Sequence, residues 1–197
     1  RVSPDGRFVT YGLVQTDKSA KSTIVPNYVT ASGFTEDISA RTKVGAPRSE
    51  NEFWVYDVKK DTARKVATTD IPGIYDKPDY LKDYPKLDTA WKKKERKVVF
   101  HGPFWSDNGQ NAVVVVRSLD SKDRWIMSCD PATLALKLLD RQRDEAWIGG
   151  PGVGGYPQSA GEIGWLDDQT IYFQSEVTGY SHLYAFNIVA GKKTALT

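Results

Sequence analysis

Apolar and polar positions along this chain fall into short runs, and three times the runs come in one order. A tight Asp/Asn/Gly turn is followed by an apolar strand, an aromatic-rich strand, a polar turn and a closing strand. The first copy opens on Ser3-Pro4-Asp5-Gly6, runs through residues 8–14, resumes at Phe53-Trp54-Val55-Tyr56-Asp57 and closes over 63–68. The second opens on Trp105-Ser106-Asp107-Asn108-Gly109, runs through 112–118 and Trp125-Ile126-Met127-Ser128-Cys129-Asp130, and closes over 134–139. The third opens on Trp165-Leu166-Asp167-Asp168, runs through 170–174 and His182-Leu183-Tyr184-Ala185-Phe186-Asn187, and closes over 193–197. Asn and Gly tolerate positive φ at little cost, so Asp107-Asn108-Gly109 predicts a tight hairpin or corner. The unbroken β-branched run Val113-Val114-Val115-Val116 predicts a strand buried on both faces. Trp54, Trp125 and Tyr184 are placed to fill the space between sheets. One such sheet cannot bury both faces alone. The pattern therefore predicts an all-β fold, a partial β-propeller of about three four-stranded antiparallel blades with long loop insertions.

The 197 residues read as a single fragment of a β-propeller domain, with approximate blades 1–69, 97–140 and 161–197 and insertions 17–52 and 70–96. A closed propeller needs at least four blades of roughly 40 to 50 residues, so three leave the circle open. Arg1-Val2 leads straight into the first turn, which predicts a start inside a blade whose innermost strand has already passed. Insertion 17–52 is polar, with Pro26, Gly33, Gly45 and Pro47, and predicts a long hairpin or excursion. Insertion 70–96 carries Tyr75, Tyr80, Tyr84 and Trp91 among prolines and predicts a segment packed on a surface. Little of the chain has helical periodicity. Open end blades would expose some of Phe8, Tyr11, Tyr172 and Phe173, which predicts self-association of the fragment.

Charge narrows the partners. The 27 basic and 25 acidic residues nearly cancel, which argues against a nucleic-acid partner or an anionic membrane. The run Lys92-Lys93-Lys94-Glu95-Arg96-Lys97 reads as a solvated edge. No apolar stretch approaches the ~20 residues of a membrane helix, and no signal-peptide pattern opens the sequence. Cys129 is the only cysteine, which excludes an internal disulfide and a cysteine zinc site and leaves a packed thiol.

Candidate chemistry is sparse. No Ser stands in a G-x-S-x-G elbow; Ser159-Ala160-Gly161 comes nearest, with Pro157 where the first Gly belongs. His101 and His182 lie in or beside strands and form no H-x-x-x-H or H-E-x-x-H pair. Asp167-Asp168 and Asp144-Glu145 could hold a cation, although turn positions account for them. The stretch Gly149-Gly150-Pro151-Gly152-Val153-Gly154-Gly155 invites a phosphate-loop reading, but a strand rather than a helix is expected after it. It reads instead as a long rim loop between Trp147 and Trp165. No catalytic residue, metal ligand or cofactor is assigned; the substrate-rim candidates are Trp147, Gly149, Gly150, Pro151, Gly152 and Tyr156.

The chain resembles the propeller domain of the dipeptidyl peptidase IV branch of the prolyl oligopeptidase family of serine peptidases. The resemblance is carried by Ser3-Pro4-Asp5-Gly6, Asp123-Arg124-Trp125-Ile126, Asp144-Glu145-Ala146-Trp147-Ile148 and Phe173-Gln174-Ser175-Glu176-Val177-Thr178-Gly179-Tyr180-Ser181-His182-Leu183-Tyr184. Lys43-Val44-Gly45-Ala46-Pro47 before Phe53-Trp54-Val55-Tyr56 also resembles that branch's Pro-Lys-Ala-Gly segment. The resemblance implies that the Ser, Asp and His of catalysis belong to a separate α/β-hydrolase domain, with the propeller gating and positioning short peptides for cleavage after proline or alanine. It also implies an exported or periplasmic location, and an amine-gripping Glu pair that corresponds to no residue here. It sets the loop after Trp147 near the substrate chamber, where some members supply arginine; residues 149–161 contain none. The alternative is a freestanding scaffold in the manner of TolB-like or WD-repeat propellers. A hydrolase domain encoded beyond Thr197 would discriminate the two.

Overall fold

The computed structural model describes residues 1–43, 45–154 and 159–197. In chain order the strands are β1 (Phe8–Gln15), β2 (Ser22–Asn27), β3 (Glu36–Thr42), β4 (Glu50–Asp57), β5 (Thr62–Lys65), β6 (Val98–Trp105) and β7 (Ala112–Ser118). They continue with β8 (Asp123–Cys129), β9 (Leu136–Arg143), β10 (Ile163–Trp165), β11 (Thr170–Ser175), β12 (His182–Asn187) and β13 (Lys192–Ala195). Two units separate: Arg1–Leu13 with Asn51–Thr197, and Val14–Glu50.

The larger unit holds three antiparallel sheets, ordered β1-β4-β5, β6-β7-β8-β9 and β10-β11-β12-β13. The innermost place of the first sheet is taken by residues 1–3, which corrects the expectation that this strand lies wholly before Arg1. Val2 bridges Val9, the Arg1 amino group donates to the Thr10 carbonyl at 2.7 Å, and the Thr10 N–H donates back to Arg1 at 2.7 Å.

A buried serine organises each of the first two opening turns. The Ser3 hydroxyl donates to Asp5 at 2.6 Å and accepts from the Phe8 N–H at 2.8 Å. Ser106 repeats this with Asn108 at 2.8 Å and the Asn111 N–H at 3.1 Å. Successive turns touch. At Gly109, φ is +70° and a Cβ would stand 2.9 Å from Pro4 Cβ, so only glycine fits. The Asn108 N–H donates to Asp168 at 2.9 Å, and the Asn111 amide donates to the Asp168 carbonyl at 2.8 Å.

Two cores lie between the sheets, and the period-2 pattern of the middle sheet feeds both. Val114, Val116, Trp125 and Met127 pack with Phe8, Phe53 and Val55 of the first sheet. Val113, Val115 and Ile126 pack with Ile171, Phe173, Tyr184 and Phe186 of the third. Every residue of β7 is buried, as its apolar run predicts. Phe8 and Phe173 are buried because both face the middle sheet, which corrects their placement on open flanks, whereas Tyr11 is exposed. Trp54 belongs to neither core; its indole N–H donates to Glu52 at 2.8 Å. The closing strand of the second copy lies two residues later than its pattern suggests, because Leu134 adopts φ +68° inside the preceding turn.

Insertion 70–96 does pack on a surface, and it contains a 3-10 turn (Asp79–Asp83) and a six-residue helix, α1 (Pro85–Ala90), with proline at its start. Ile71 and Ile74 enter the first core, and the Trp125 indole donates to the Pro72 carbonyl at 2.9 Å. Arg96 is not part of a solvated edge: its guanidinium bonds Asp120 at 2.7 Å and fully buried Asp123 at 2.5 Å. Arg141 and Arg143 reach the same Asp123 carboxylate at 2.7 and 2.6 Å. These charges were opaque in the sequence because their partners come from four different segments.

The smaller unit is the expected hairpin, β2 against β3 with Val25 opposite Ile38. Ile24, Val25, Tyr28, Val29, Phe34 and Ile38 are exposed on it. Val44, within the Lys43 to Pro47 motif, lies outside the described residues.

Candidate functional site

Residues 144–162 lead from the end of β9 to the start of β10. Asp144 begins the connection with a local cap, its carboxylate accepting the N–H groups of Ala146 at 2.7 Å and Trp147 at 3.2 Å. That cap turns Trp147 outward, 74 % exposed. Glu145 is held by Lys122 and Arg143. Burial pushes its carboxyl up, but the hydrogen bonds from Lys122 and Arg143 outweigh this and hold it below the usual range. The Ile148 N–H donates to Ser121 at 2.8 Å, tying the connection to the β7–β8 turn.

Beyond Ile148 the described backbone is irregular as far as β10. Val153 is buried, the Glu162 N–H donates to Gly152 at 2.6 Å, and the Pro151 carbonyl accepts the Ser181 hydroxyl at 2.9 Å. Gly161, at φ +75°, brings the returning strand so close that a Cβ would stand 2.5 Å from the Gly152 carbonyl oxygen. From beneath, Arg117 and Arg124 donate to carbonyls of this connection: Arg117 to Val153 at 2.8 Å, Arg124 to Ala160 at 3.0 Å.

A cavity of about 500 Å³ opens over the connection, lined by Trp147, Ile148, Gly149, Gly150, Gly152 and Ser159 among others. A second, of about 460 Å³, shares Trp147, Ile148 and Gly149 and adds Arg143, Glu176 and Lys193. The structure thus brings Trp147, Gly149, Gly150 and Gly152 to one opening, with Pro151 beside it. Tyr156 lies outside the described residues. An exposed indole beside Gly149, where a Cβ would meet nothing within 4 Å, leaves room for an extended peptide with a side chain on the ring.

The other candidates are structural in their surroundings. The Asp167 carboxylate accepts the Gln169 N–H at 2.7 Å, which holds its pKa below the usual value. The His182 ring meets the Thr197 hydroxyl at 3.4 Å, and His101 sits at the irregularity in the β6–β7 register. Burial pushes the Cys129 thiol up to about 12, so it stays a thiol at neutral pH. Among the described residues the next element after the glycine stretch is β10 rather than a helix. Among the described residues no three His, Cys, Asp or Glu gather to hold a metal ion, and no helix is long and apolar enough to cross a membrane. Sequence reading gave Arg117 no role and Arg124 only a place in the family resemblance. Their signal was a charge embedded in apolar strand sequence, at Val116-Arg117 and Arg124-Trp125.

The family described as the dipeptidyl peptidase IV (DPP IV) N-terminal region matches residues 2–197. The chain belongs to this family. Among solved structures it is similar to a protein described as a dipeptidyl aminopeptidase IV from Bacteroides ovatus, at 13 % identity and a TM-score of 0.59, over 100 % of this chain and 26 % of that one. It is also similar to Porphyromonas gingivalis dipeptidyl peptidase 4, at 13 % identity and a TM-score of 0.43, over 100 % of this chain and 30 % of that one. The chain therefore spans less than a third of either relative. TolB from Acinetobacter baumannii matches at 10 % identity and a TM-score of 0.37, over 98 % of this chain and 47 % of that one. No curated protein matches the chain. The Bacteroides ovatus likeness, at its low identity, establishes the fold, a partial DPP IV-type propeller; the family match extends over nearly all of it.

Proposed function

We propose that residues 1–197 are a fragment of the propeller of an exported serine exopeptidase, gating and positioning short peptides for an α/β-hydrolase domain that carries the catalytic Ser, Asp and His. Trp147, Gly149, Gly150, Pro151 and Gly152 form the rim that the peptide meets, and Tyr156, outside the described residues, is assigned to it from the sequence alone. The observation that carries this reading is exposed Trp147 beside Gly149, Gly150 and Gly152 at a cavity, in a chain of the DPP IV N-terminal family. The rim contributes orientation and exclusion and leaves bond cleavage to the other domain.

Shortening residues 149–154 in the full-length enzyme tests it. The kcat/KM ratio between a longer peptide and a dipeptidyl substrate is expected to change severalfold. An equal fall in turnover for both, with their ratio intact, counts against a rim. The 197-residue chain alone is expected to take up no fluorophosphonate label, and stoichiometric labelling would place the nucleophile within it.

A further inference from the structure

We infer that Arg117 and Arg124 are positioning residues, a buried pair in the middle sheet that templates the shape of the glycine-rich rim. The inference rests on the rim reading above and deepens it. Arg117 in β7 and Arg124 in β8 are direct cross-strand partners, and both side chains are almost wholly buried. Like charges opposite one another on a sheet repel, and burial strips each guanidinium of water. Carbonyl dipoles replace that water at Arg117 Nη1 and at all three nitrogens of Arg124.

Those carbonyls come mostly from the rim connection. Arg117 Nη1 donates to Val153 at 2.8 Å and to Ser159 at 3.3 Å. Arg124 donates to Ala160 at 3.0 Å through Nε and to Glu162 at 3.3 Å through Nη2. Its Nη1 reaches Gln142 and the Gln174 carbonyl of β11, both at 3.1 Å, so one side chain ties the connection to two sheets. Burial, and then the Arg117 charge, push Arg124 down to about 10, so it remains a cation at neutral pH.

Neither half of this arrangement holds its form alone. A run of glycines has wide backbone freedom and little preference for one path. The guanidinium is a planar fork with five N–H donors in fixed directions, and it imposes a path on whatever carbonyls satisfy it. Lysine at either position keeps the charge but loses the fork. The rim's geometry is thereby set by rigid sheet positions beneath it, which is how a glycine-rich segment can offer a defined surface to a peptide.

The test is Arg124→Lys in the full-length protein, with Arg117→Lys as a second variant, read by hydrogen exchange and kinetics. Amides in the connection are expected to exchange about tenfold faster while Val113 to Val116 stay within about twofold of wild type. KM for a longer peptide is expected to rise severalfold more than KM for a dipeptidyl substrate. Unchanged exchange in the connection for both variants overturns the inference. Equal loosening of connection and sheet, or failure of both variants to fold, also overturns it, because the arginines then hold the sheet itself. If loop shortening leaves peptide selectivity intact, the rim reading fails, while exchange still decides whether the arginines template the loop.

Discussion

The two ends of the stacked sheets are built by opposite means. At one end the closing turn of each copy is short and satisfies itself. Asp57 accepts the N–H groups of Lys59 and Lys60, Asp130 those of Ala132 and Thr133, and Asn187 those of Val189 and Ala190. Each closing turn thus carries its own cap two or three residues away. At the other end, connections 66–97 and 144–162 are held by side chains from the sheet: Trp125 on Pro72, Asp123 on Arg96 and Arg141 on Asp76 for one, Arg117 and Arg124 for the other. Self-capped turns can change residue by residue. A connection held from below can vary its exposed residues freely while its anchors stay, which suits it to present Trp147.

Asp123→Ala should break this contrast most severely, because three guanidinium groups lose one buried carboxylate. A loss of about 3–5 kcal/mol is expected, read from the urea midpoint of the chain. A loss below about 1 kcal/mol would mean that the anchored end is no more interdependent than the capped one. Gly161→Ala comes next, at about 1–3 kcal/mol, since it places a Cβ against the Gly152 carbonyl at positive φ. Its effect should appear as faster hydrogen exchange confined to 144–162; uniform loosening would contradict a locally held connection. Asp130→Ala, at the capped end, should cost only about 1 kcal/mol and leave exchange elsewhere unchanged. Spread of that effect to the rim would erase the distinction.

The smallest effect is acid sensitivity. Burial raises the Asp120 carboxyl, but hydrogen bonds from Arg96 and Ser118 outweigh it and leave the pKa below 3.8. A depressed carboxylate contributes stability above its unfolded value and loses it as pH falls through the folded one. The melting midpoint should therefore hold from neutrality to about pH 4 and fall below it, with Asp120→Asn flattening part of that fall. A decline already under way at pH 6 would assign the sensitivity to another group.

The same contrast decides what could be read from sequence. Ser3-Pro4-Asp5-Gly6, Asp107-Asn108-Gly109 and the Val113 to Val116 run were legible because their partners lie within a few residues or on the same strand. Trp147 and its glycines were legible as a loop for the same local reason. The Arg96, Arg141 and Arg143 cluster on Asp123 was not, and Lys92 to Lys97 therefore read as solvent-facing. The Arg117–Arg124 pair stayed hidden because a charge in an apolar strand names no acceptor, and its acceptors are backbone atoms with no sequence signature. Trp54 misled because period-2 placement tells which residues share a face, but not whether another sheet covers it.

The contacts between opening turns bear on how such a chain can evolve. Pro4 sits against Gly109, and Asn108 and Asn111 bond to Asp168, so each turn is cut to fit its successor. The three copies share one grammar yet are not interchangeable parts. Swapping the second and third by recombination would set Pro4 against the Asp167-Asp168 turn, where neither residue is a glycine. Duplication can generate such an array, but once neighbouring turns have adapted to one another the order of the copies becomes heritable information in its own right.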